Sequence, residues 1–399
     1  MSNSVSYPQP SLDRVPVTWD QPEREAAFLT WLQGAASAHA LNISSLRVAS
    51  ADASFRRYFR ISAVDDAPRP SGPGELSSPV TFIIMDAPPD KEVSQPFVSI
   101  CARLLQAGLN APRILEWHEA QGFMLLTDLG AHTMMQHLQA TSRGLAHVAS
   151  SDSPATPWVL HSGTAEDLAL YLRAVDALVA WQLASQPGVL PTYDLALLGR
   201  ELELFPQWYI SAHRQQEVSP EMRATLDKLF QRIMAHNLAW PSVYVHRDFM
   251  PRNLMMPQHP QEPRLGVLDF QDAVYGPITY DVASLMRDAF WSWEEEFVLE
   301  VTVRYWEQAR RAGLPVGDDF GAFYEGVEWM GLQRHLKVAG IFARLTLRDG
   351  KPKYLADAPR FIHYLRSTAN RYRELKPLLH LLDQVEGTSA AQGWAFGRL

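Results

Sequence analysis

The feature of the sequence that most constrains the fold is a pair of short apolar runs, at 243–245 and 265–268, each followed directly by oxygen-bearing side chains. The first run leads into Asp248, with Asn253 five positions later, and the second leads into Asp269, sixteen positions after Asn253. Both runs have the composition of buried strands. The spacing therefore predicts two neighbouring loops that bring Asp248, Asn253 and Asp269 to one place.

The first of these loops reads HRDFMPRN, which is the H-R-D-x-x-x-x-N pattern of a phosphotransfer loop. In that pattern the Asp248 carboxylate faces an acceptor hydroxyl, while the amide oxygen of Asn253 and the carboxylate of Asp269 hold Mg²⁺ on the nucleotide phosphates. We predict that His246 braces the loop and that Asp281, after the turn GPITY, caps a helix or accepts hydrogen bonds from the loop.

Each of these residues has a simpler interpretation when taken alone. An aspartate after a strand is usually a turn former or a helix cap, and a lone histidine is usually a hydrogen-bonded core residue. The combination of strand, H-R-D, asparagine at the right offset and a second strand ending in aspartate favours the catalytic interpretation.

Length and charge limit the class of protein. A chain of 399 residues exceeds one hydrophobic core, so two lobes are expected. The formal net charge of −8 argues against nucleic acid as a partner, and the single cysteine, Cys101, excludes an intramolecular disulfide. No export signal, membrane span or obligate protein partner is evident, so we predict a cytoplasmic protein.

Hydrophobic periodicity predicts an α+β, bilobal fold, with an antiparallel sheet in the first lobe and helices in the second. The expected divisions are a leader at 1–20, an N-terminal nucleotide-binding lobe at 21–130, a helical C-terminal catalytic and substrate lobe at 131–385, and a tail at 386–399. In the first lobe we predict helices at 21–40 and 96–107 and strands at 46–50, 57–62, 80–85, 114–118 and 123–127. In the second we predict an exposed insertion at 141–157, helices from Ala165 onward, and only the two strands already described.

Several sequence strings resemble a known family. ASFRRYFR, MDAPP, ELELFPQWY, HRDFMPRNLM, GVLDFQDAVYGPITYDVASL and GLQRHLKVAGIFARL are similar to bacterial N-acetylmuramate/N-acetylglucosamine anomeric kinases, within the aminoglycoside phosphotransferase-like group. The resemblance implies a protein-kinase-like fold and Mg²⁺-dependent transfer of phosphate from ATP to the C1 hydroxyl of an amino sugar. It further implies α-1-phosphate products and a role in cell-wall recycling.

The chain departs from the protein-kinase pattern on its third strand, where no lysine is present in FIIMD. Arg57 or Arg56, from the preceding hairpin, could replace that cation, although either could equally form a surface salt bridge. Adenine is expected at a hinge near Leu126 and Asp128, while Asp-Leu-Gly is also an ordinary turn.

The sugar-binding residues are less constrained by the sequence. Trp208 offers an aromatic face, and Arg334, His335 and Lys337 form a basic group in the helical lobe, although aromatic residues are more often part of a core. Arg252, beside Asn253, is a further candidate for an acidic sugar. An aminoglycoside, choline or homoserine kinase and a nucleotide-binding pseudokinase are the alternative functions.

Overall fold

The structure is a computed structural model that describes residues 17–50, 55–64, 80–142, 160–259, 261–351, 354–355 and 358–387. Three predictions fall mainly outside these ranges, namely the leader at 1–20, the insertion at 141–157 and the tail at 386–399. The chain divides into two compact units. The N-terminal unit comprises Met1–Gln106 and Asn110–Gly130, and the C-terminal unit comprises Ala107–Leu109 and Ala131–Leu399.

The N-terminal unit contains an antiparallel sheet, as the β-prone runs and the turns between them predict. Its elements are α1 (Pro22–His39), β1 (Leu41–Ser50), β2 (Arg57–Ala63), β3 (Thr81–Asp86), α2 (Gln95–Gln106), β4 (Ile114–His118) and β5 (Phe123–Thr127). The described strands pair in the order β1-β2-β3-β5-β4, and every pairing is antiparallel. Gly108, at φ +80°, follows α2 in the left-handed conformation that commonly terminates a helix.

Helix α1 covers one face of this sheet. Phe28, Trp31, Leu32 and Ala35 recur at helical spacing and are buried. They form one core cluster with sheet residues, among which Phe123 meets Phe28 edge to face at a centroid distance of 5.5 Å. The apolar stripe of α1 is therefore what fixes the helix on the sheet.

The first strand begins earlier than predicted, at Leu41 rather than residue 46. Its pairing with β2 is irregular between Asn42 and Arg47. The polar side chains in this stretch bond locally, because the Asn42 Oδ1 accepts from the Ser44 backbone N at 3.1 Å and the Ser45 Oγ accepts from the Ser62 backbone N at 2.8 Å. This β-bulge replaces the alternation that would have identified the strand.

The C-terminal unit is mainly helical, and helices dominate from Ala165 as predicted. Its helices are α3 (Met134–Thr141), α4 (Ala165–Leu183), α5 (Leu195–Leu202), α6 (Pro220–Leu238), α7 (Thr279–Met286), α8 (Glu295–Arg311), α9 (Phe320–Leu347), α10 (Ala358–Arg371) and α11 (Lys376–Glu386), with a π-helix at Phe205–His213 and 3-10 turns at Pro251–Asn253 and Arg373–Leu375. Within the described ranges, no helix combines the length and apolar character needed to cross a membrane.

The prediction of only two strands in this unit is wrong. The strands are β6 (Leu160–His161), β7 (Ser242–Val245), β8 (Leu254–Met255), β9 (Gly266–Val267), β10 (Val274–Pro277) and β11 (Ser292–Trp293). They pair as β7 with β10, β8 with β9 and β6 with β11. Strands of two residues are too short to show an alternating pattern in the sequence. Gly276 and Pro277 are uncommon within strands, so β10 does not have the composition of one.

Candidate active site

Pairing of β8 with β9 brings Asn253 and Asp269 together. Leu254 lies opposite Val267, so the residue before β8 and the residues after β9 are neighbours. The Leu268 backbone N donates to the Asn253 backbone O at 3.0 Å, and the Asn253 Nδ2 donates to the Asp269 Oδ2 at 3.2 Å. The ladder is therefore the structural cause of the contact.

The same asparagine also holds the loop that carries Asp248. Asn253 Nδ2 donates to the Asp248 backbone O at 2.8 Å, and the Asp248 side chain is half-buried. Because the amide nitrogen makes both of these bonds, the amide oxygen is the atom of Asn253 that could bind a cation. Asp269 is exposed and accepts from Gln271 Nε2 at 2.9 Å. The geometry places a candidate base and two candidate metal ligands within one pair of loops.

Two residues of these loops have unfavourable backbone conformations. Arg247 has φ 76° and Asp269 has φ 62°, both in the left-handed region that residues other than glycine rarely adopt. Aspartate tolerates this region better than most residues, and arginine does not. Conformations of this kind persist where surrounding contacts impose them, and they cluster at functional sites.

Asp281, the third residue of α7, supplies the contacts that hold the loop. Its fully buried carboxylate accepts from the backbone N of His246 at 2.7 Å and from the backbone N of Arg247 at 3.0 Å. Burial raises the pKa of Asp281, while the two backbone bonds act in the opposite direction. Asp281 is a loop-positioning residue in this geometry rather than a simple helix cap.

The His246 ring links the two loops. Its Nε2 lies 3.0 Å from the Leu268 carbonyl oxygen, and a carbonyl can only accept, so the proton is on Nε2. The ring is buried, and burial lowers the pKa of His246, which favours the neutral form. These contacts give His246 a bracing position beside Asp269.

A buried acidic residue that the sequence did not reveal, Glu201 of α5, anchors Arg247. The Glu201 Oε1 lies 2.5 Å from the Arg247 guanidinium and 2.9 Å from the Lys337 Nζ, while the Oε2 accepts from the Tyr193 hydroxyl at 2.5 Å and from the Gln333 Nε2 at 3.0 Å. Burial alone would raise the pKa of Glu201, but Lys337 and then Arg247 lower it to about 2. Nothing in the spacing of ELELF distinguishes this glutamate from its surface neighbour.

Glu201→Gln is expected to destabilise the fold by about 3 kcal/mol at neutral pH, because it leaves two buried cations without their carboxylate. The wild-type advantage should be complete above pH 4.5, the ordinary pKa of glutamate, and should shrink as the pH falls toward 2. Stability falls with falling pH because the pKa of Glu201 is lower in the folded protein than in the unfolded chain. Urea unfolding at several pH values measures the difference.

Glu203→Gln is the matched control, since that side chain is 47% exposed and pairs with Arg223 at the surface. Its effect should stay within about 1 kcal/mol. Equal effects of the two substitutions at neutral pH would contradict the buried role of Glu201.

The basic residues that were expected to face the sugar are instead buried in the C-terminal unit. Arg334, His335 and Lys337 are all buried in α9. Arg334 donates to the Arg247 backbone O at 2.5 Å, and His335 bonds the Arg287 backbone O at 3.0 Å. Burial lowers the pKa of His335 to about 3, so this ring is neutral at physiological pH. The sequence could not show that α9 turns these residues inward, and their contacts favour a structural role.

The other two sugar candidates lie nearer the surface. Trp208 is half-buried on the π-helix. Arg252 is exposed, one residue before Asn253, with its guanidinium 4.4 Å from the centroid of the Phe290 ring. Arg252 therefore stays a candidate for binding an anionic group.

In the N-terminal unit, the arginine predicted to replace the missing lysine is paired. Arg57 and Arg24 each lie 2.5 Å from the Asp86 carboxylate, which is fully buried at the end of β3. Arg57 also packs over Trp19 at 3.8 Å, and Arg56 lies 3.0 Å from Glu92. These contacts favour the ion-pair interpretation, since a phosphate could bind Arg57 only in competition with Asp86.

The hinge candidates are also engaged within the N-terminal unit. Asp128 accepts from Arg60 at 2.5 Å, from the Thr81 hydroxyl at 2.7 Å and from the Gly130 backbone N at 2.8 Å, which makes its side chain a structural anchor. Leu126 is buried in β5 between β3 and β4, where backbone groups point to the flanking strands. The Gly130 backbone is engaged as well, because its O accepts from the Arg60 guanidinium at 2.8 Å.

The metal-binding capacity of the site rests on few protein ligands. Among the described residues, no group of three or more His, Cys, Asp and Glu side chains could hold a metal ion. Asp269 and Asn253 form a pair of oxygen donors, and Mg²⁺ is commonly held by one or two protein oxygens together with nucleotide phosphates and water. The donor set fits an ion that arrives with phosphate.

Comparisons with known proteins agree with this geometry. Residues 45–319 match the profile of the phosphotransferase enzyme family. A Neisseria meningitidis serogroup B protein named N-acetylmuramate/N-acetylglucosamine kinase is 42% identical, over 92% of this chain and 97% of its own length. A Pseudomonas aeruginosa protein of the same name is 44% identical, over 84% of this chain and 86% of its own length.

A solved structure shows the same fold. The Plasmodium vivax ethanolamine kinase superposes with a TM-score of 0.53 at 10% identity, covering 90% of this chain and 94% of that chain. The predicted protein-kinase-like fold, with an antiparallel N-terminal sheet and a mainly helical remainder, is confirmed. The chain therefore belongs to the phosphotransferase enzyme family, and it is an enzyme that transfers phosphate from a nucleotide to a hydroxyl group.

Proposed function

We propose that the protein transfers the γ-phosphate of ATP to the anomeric hydroxyl of N-acetylmuramate and N-acetylglucosamine. The products would be sugar α-1-phosphates formed during the recycling of cell-wall sugars. The supporting structural observation is the convergence of Asp248, Asn253 and Asp269 on two paired loops. The names of relatives that are 42% and 44% identical to this chain over the aligned residues support the choice of sugar.

In this proposal Asp248 acts as the general base. Its carboxylate accepts the proton of the C1 hydroxyl as that oxygen forms a bond to the γ-phosphorus, and the bond from the γ-phosphorus to the β,γ-bridging oxygen breaks to release ADP. An anomeric hydroxyl is more acidic than an ordinary alcohol, which reduces the demand on a carboxylate base. Positioning by the Asp281 and Asn253 contacts holds Asp248 for this step.

Asn253 and Asp269 would hold Mg²⁺ through their side-chain oxygens. When bound, this ion would neutralise charge on the phosphates and orient them. The backbone beyond Thr127 would bind the adenine edge. We also propose a cytoplasmic location, where ATP is available to the enzyme.

An acceptor panel tests the proposal. Purified protein with Mg²⁺ and ATP should form ADP when N-acetylmuramate or N-acetylglucosamine is present, and phosphorus NMR should assign the new phosphate to C1. Kanamycin, choline and homoserine are the comparison acceptors. Phosphorylation of one of these with neither sugar reacting would reject the proposed substrate, and the absence of transfer to all of them would favour a nucleotide-binding role.

A further inference from the structure

One buried carboxylate in the C-terminal unit is left incompletely bonded. Asp288, two residues after α7, is 2% exposed. Its Oδ1 accepts from the Phe290 backbone N at 3.2 Å, but no described residue donates a hydrogen bond to its Oδ2. Among the buried side-chain atoms that lack a partner in the described ranges, this is the only carboxylate oxygen. Burying a carboxylate oxygen without a hydrogen bond costs free energy, so a ligand that donates a hydrogen bond to the Asp288 Oδ2 would be stabilising.

Asp288 is connected to the catalytic loop by helix α7. The helix begins beside the loop, where Asp281 binds two loop backbone amides and Ser284 Oγ donates to the Arg247 backbone O at 3.4 Å. Arg287 caps the C-terminal end of α7, and Asp288 is the next residue. A short rigid helix of eight residues therefore fixes its position relative to Asp248.

A second connection runs through Arg252 and Phe290. Arg252, in the catalytic loop, packs on the Phe290 ring at 4.4 Å, and the Phe290 backbone binds Asp288. Burial raises the pKa of Asp288 to about 6, while the Phe290 backbone hydrogen bond, the positive charges of Arg360 and Arg252, and the Ala289 backbone act in the opposite direction. Arg252 is therefore close enough to act on Asp288 electrostatically, so the buried carboxylate lies near the catalytic loop.

The segment that follows Asp288 is buried and packs against aromatic and cationic side chains. Trp291 is only 6% exposed, and its ring stacks on the His161 ring with a centroid distance of 3.7 Å. Arg360 is also buried, and its guanidinium donates to the Ala289 backbone O at 3.2 Å.

We infer that Asp288 determines recognition of the acceptor sugar by accepting a hydrogen bond from a hydroxyl or amide N–H that both amino sugars share. The inference rests on the proposed function and adds the recognition residue to it. Arg252 would distinguish the two sugars. Its exposed guanidinium can pair with the lactyl carboxylate of N-acetylmuramate, and N-acetylglucosamine has no such carboxylate.

Asp288→Asn tests this assignment, since asparagine retains an oxygen for the Phe290 backbone N and replaces the other acceptor with a donor. The KM for each sugar should rise by about 10- to 100-fold, and by the same factor for both, whereas the KM for ATP should not change. Calorimetric titration of N-acetylglucosamine in the presence of ADP should show the same loss of affinity. Arg252→Gln should raise the KM for N-acetylmuramate alone, by about 10-fold.

Asp319→Asn is the matched control. Asp319 makes the same local contact, from its Oδ1 to the backbone N two residues later at 2.8 Å, but it is exposed at the start of α9. It should leave both sugar KM values unchanged. If the wild type phosphorylates the sugars and Asp288→Asn leaves their KM and affinity unchanged, or only lowers the melting temperature, the inference fails and the proposed function stands. If the wild type phosphorylates neither sugar, both fail.

Discussion

Asp248→Asn is expected to lower kcat by about 10³-fold or more, while binding of Mg²⁺ and ATP persists. Asparagine keeps the size of the side chain but cannot accept the proton of the attacking hydroxyl. The backbone O of residue 248, which accepts from Asn253, is unaffected by the change. ADP release measures turnover, and fluorescence titration with a nucleotide analogue measures binding.

Asp272→Asn provides the matched control for that experiment. Asp272 is an exposed carboxylate three residues after Asp269, and it undergoes the same chemical change. Its turnover should stay close to the wild-type value. Near-normal turnover in Asp248→Asn would remove the general base from the mechanism, whatever the control shows.

Asp269→Asn is expected to produce the second large effect, a fall in kcat/KM for ATP of at least about 100-fold together with a higher Mg²⁺ concentration for half-maximal activity. The substitution removes the negative charge of a proposed metal ligand. Asparagine adopts the left-handed backbone conformation as readily as aspartate, so the φ of 62° at this position should be retained. A Mg²⁺ titration of the initial rate measures both quantities.

The contrast with Asn253 sharpens this prediction. Asn253 also holds the Asp248 backbone, so its replacement would disturb the base as well as the metal. The Asp269 carboxylate accepts hydrogen bonds from Asn253 and Gln271, and as a proposed Mg²⁺ ligand its replacement should have an effect that depends strongly on Mg²⁺ concentration. An Asp269→Asn enzyme with an unchanged Mg²⁺ dependence would contradict the assignment of this carboxylate as a ligand.

The N-terminal sheet could be predicted from local sequence. The sequence predicts β4 and β5 at the residues where the structure has them, because short β-prone runs are bounded by turn formers. The start of β1 could not be predicted in this way, since Asn42 and Ser45 bond to backbone groups and interrupt the alternation. Local patterns identify regular elements and fail at irregular ones.

The candidate catalytic residues could be predicted from spacing, but the contacts that support them could not. Glu201 lies 46 residues before Arg247 in sequence, and no motif links the two. The inward orientation of Arg334 depends on how α9 packs against α7 and the loop. Such contacts between residues far apart in sequence depend on tertiary packing, so they cannot be predicted from hydrophobic periodicity or composition.

The sugar-binding prediction illustrates the same limit. A cluster of basic letters in α9 suggested an anion site, yet the structure uses Arg334 and Lys337 to hold the backbone and the carboxylate beneath the catalytic loop. Asp288 did not appear as a candidate, because an aspartate after a helix is common in any sequence. Only its burial and its unsatisfied oxygen distinguish it.

The central claim is that Asp248, Asn253 and Asp269 surround one divalent cation and the reacting phosphate. Anomalous diffraction from crystals grown with Mn²⁺ and a non-hydrolysable ATP analogue tests it directly. We predict one anomalous peak within about 2.0–2.4 Å of the Asn253 amide oxygen and an Asp269 carboxylate oxygen, with Asp248 facing the γ-phosphate. A nucleotide-bound Mn²⁺ that contacts neither Asn253 nor Asp269 would contradict the account.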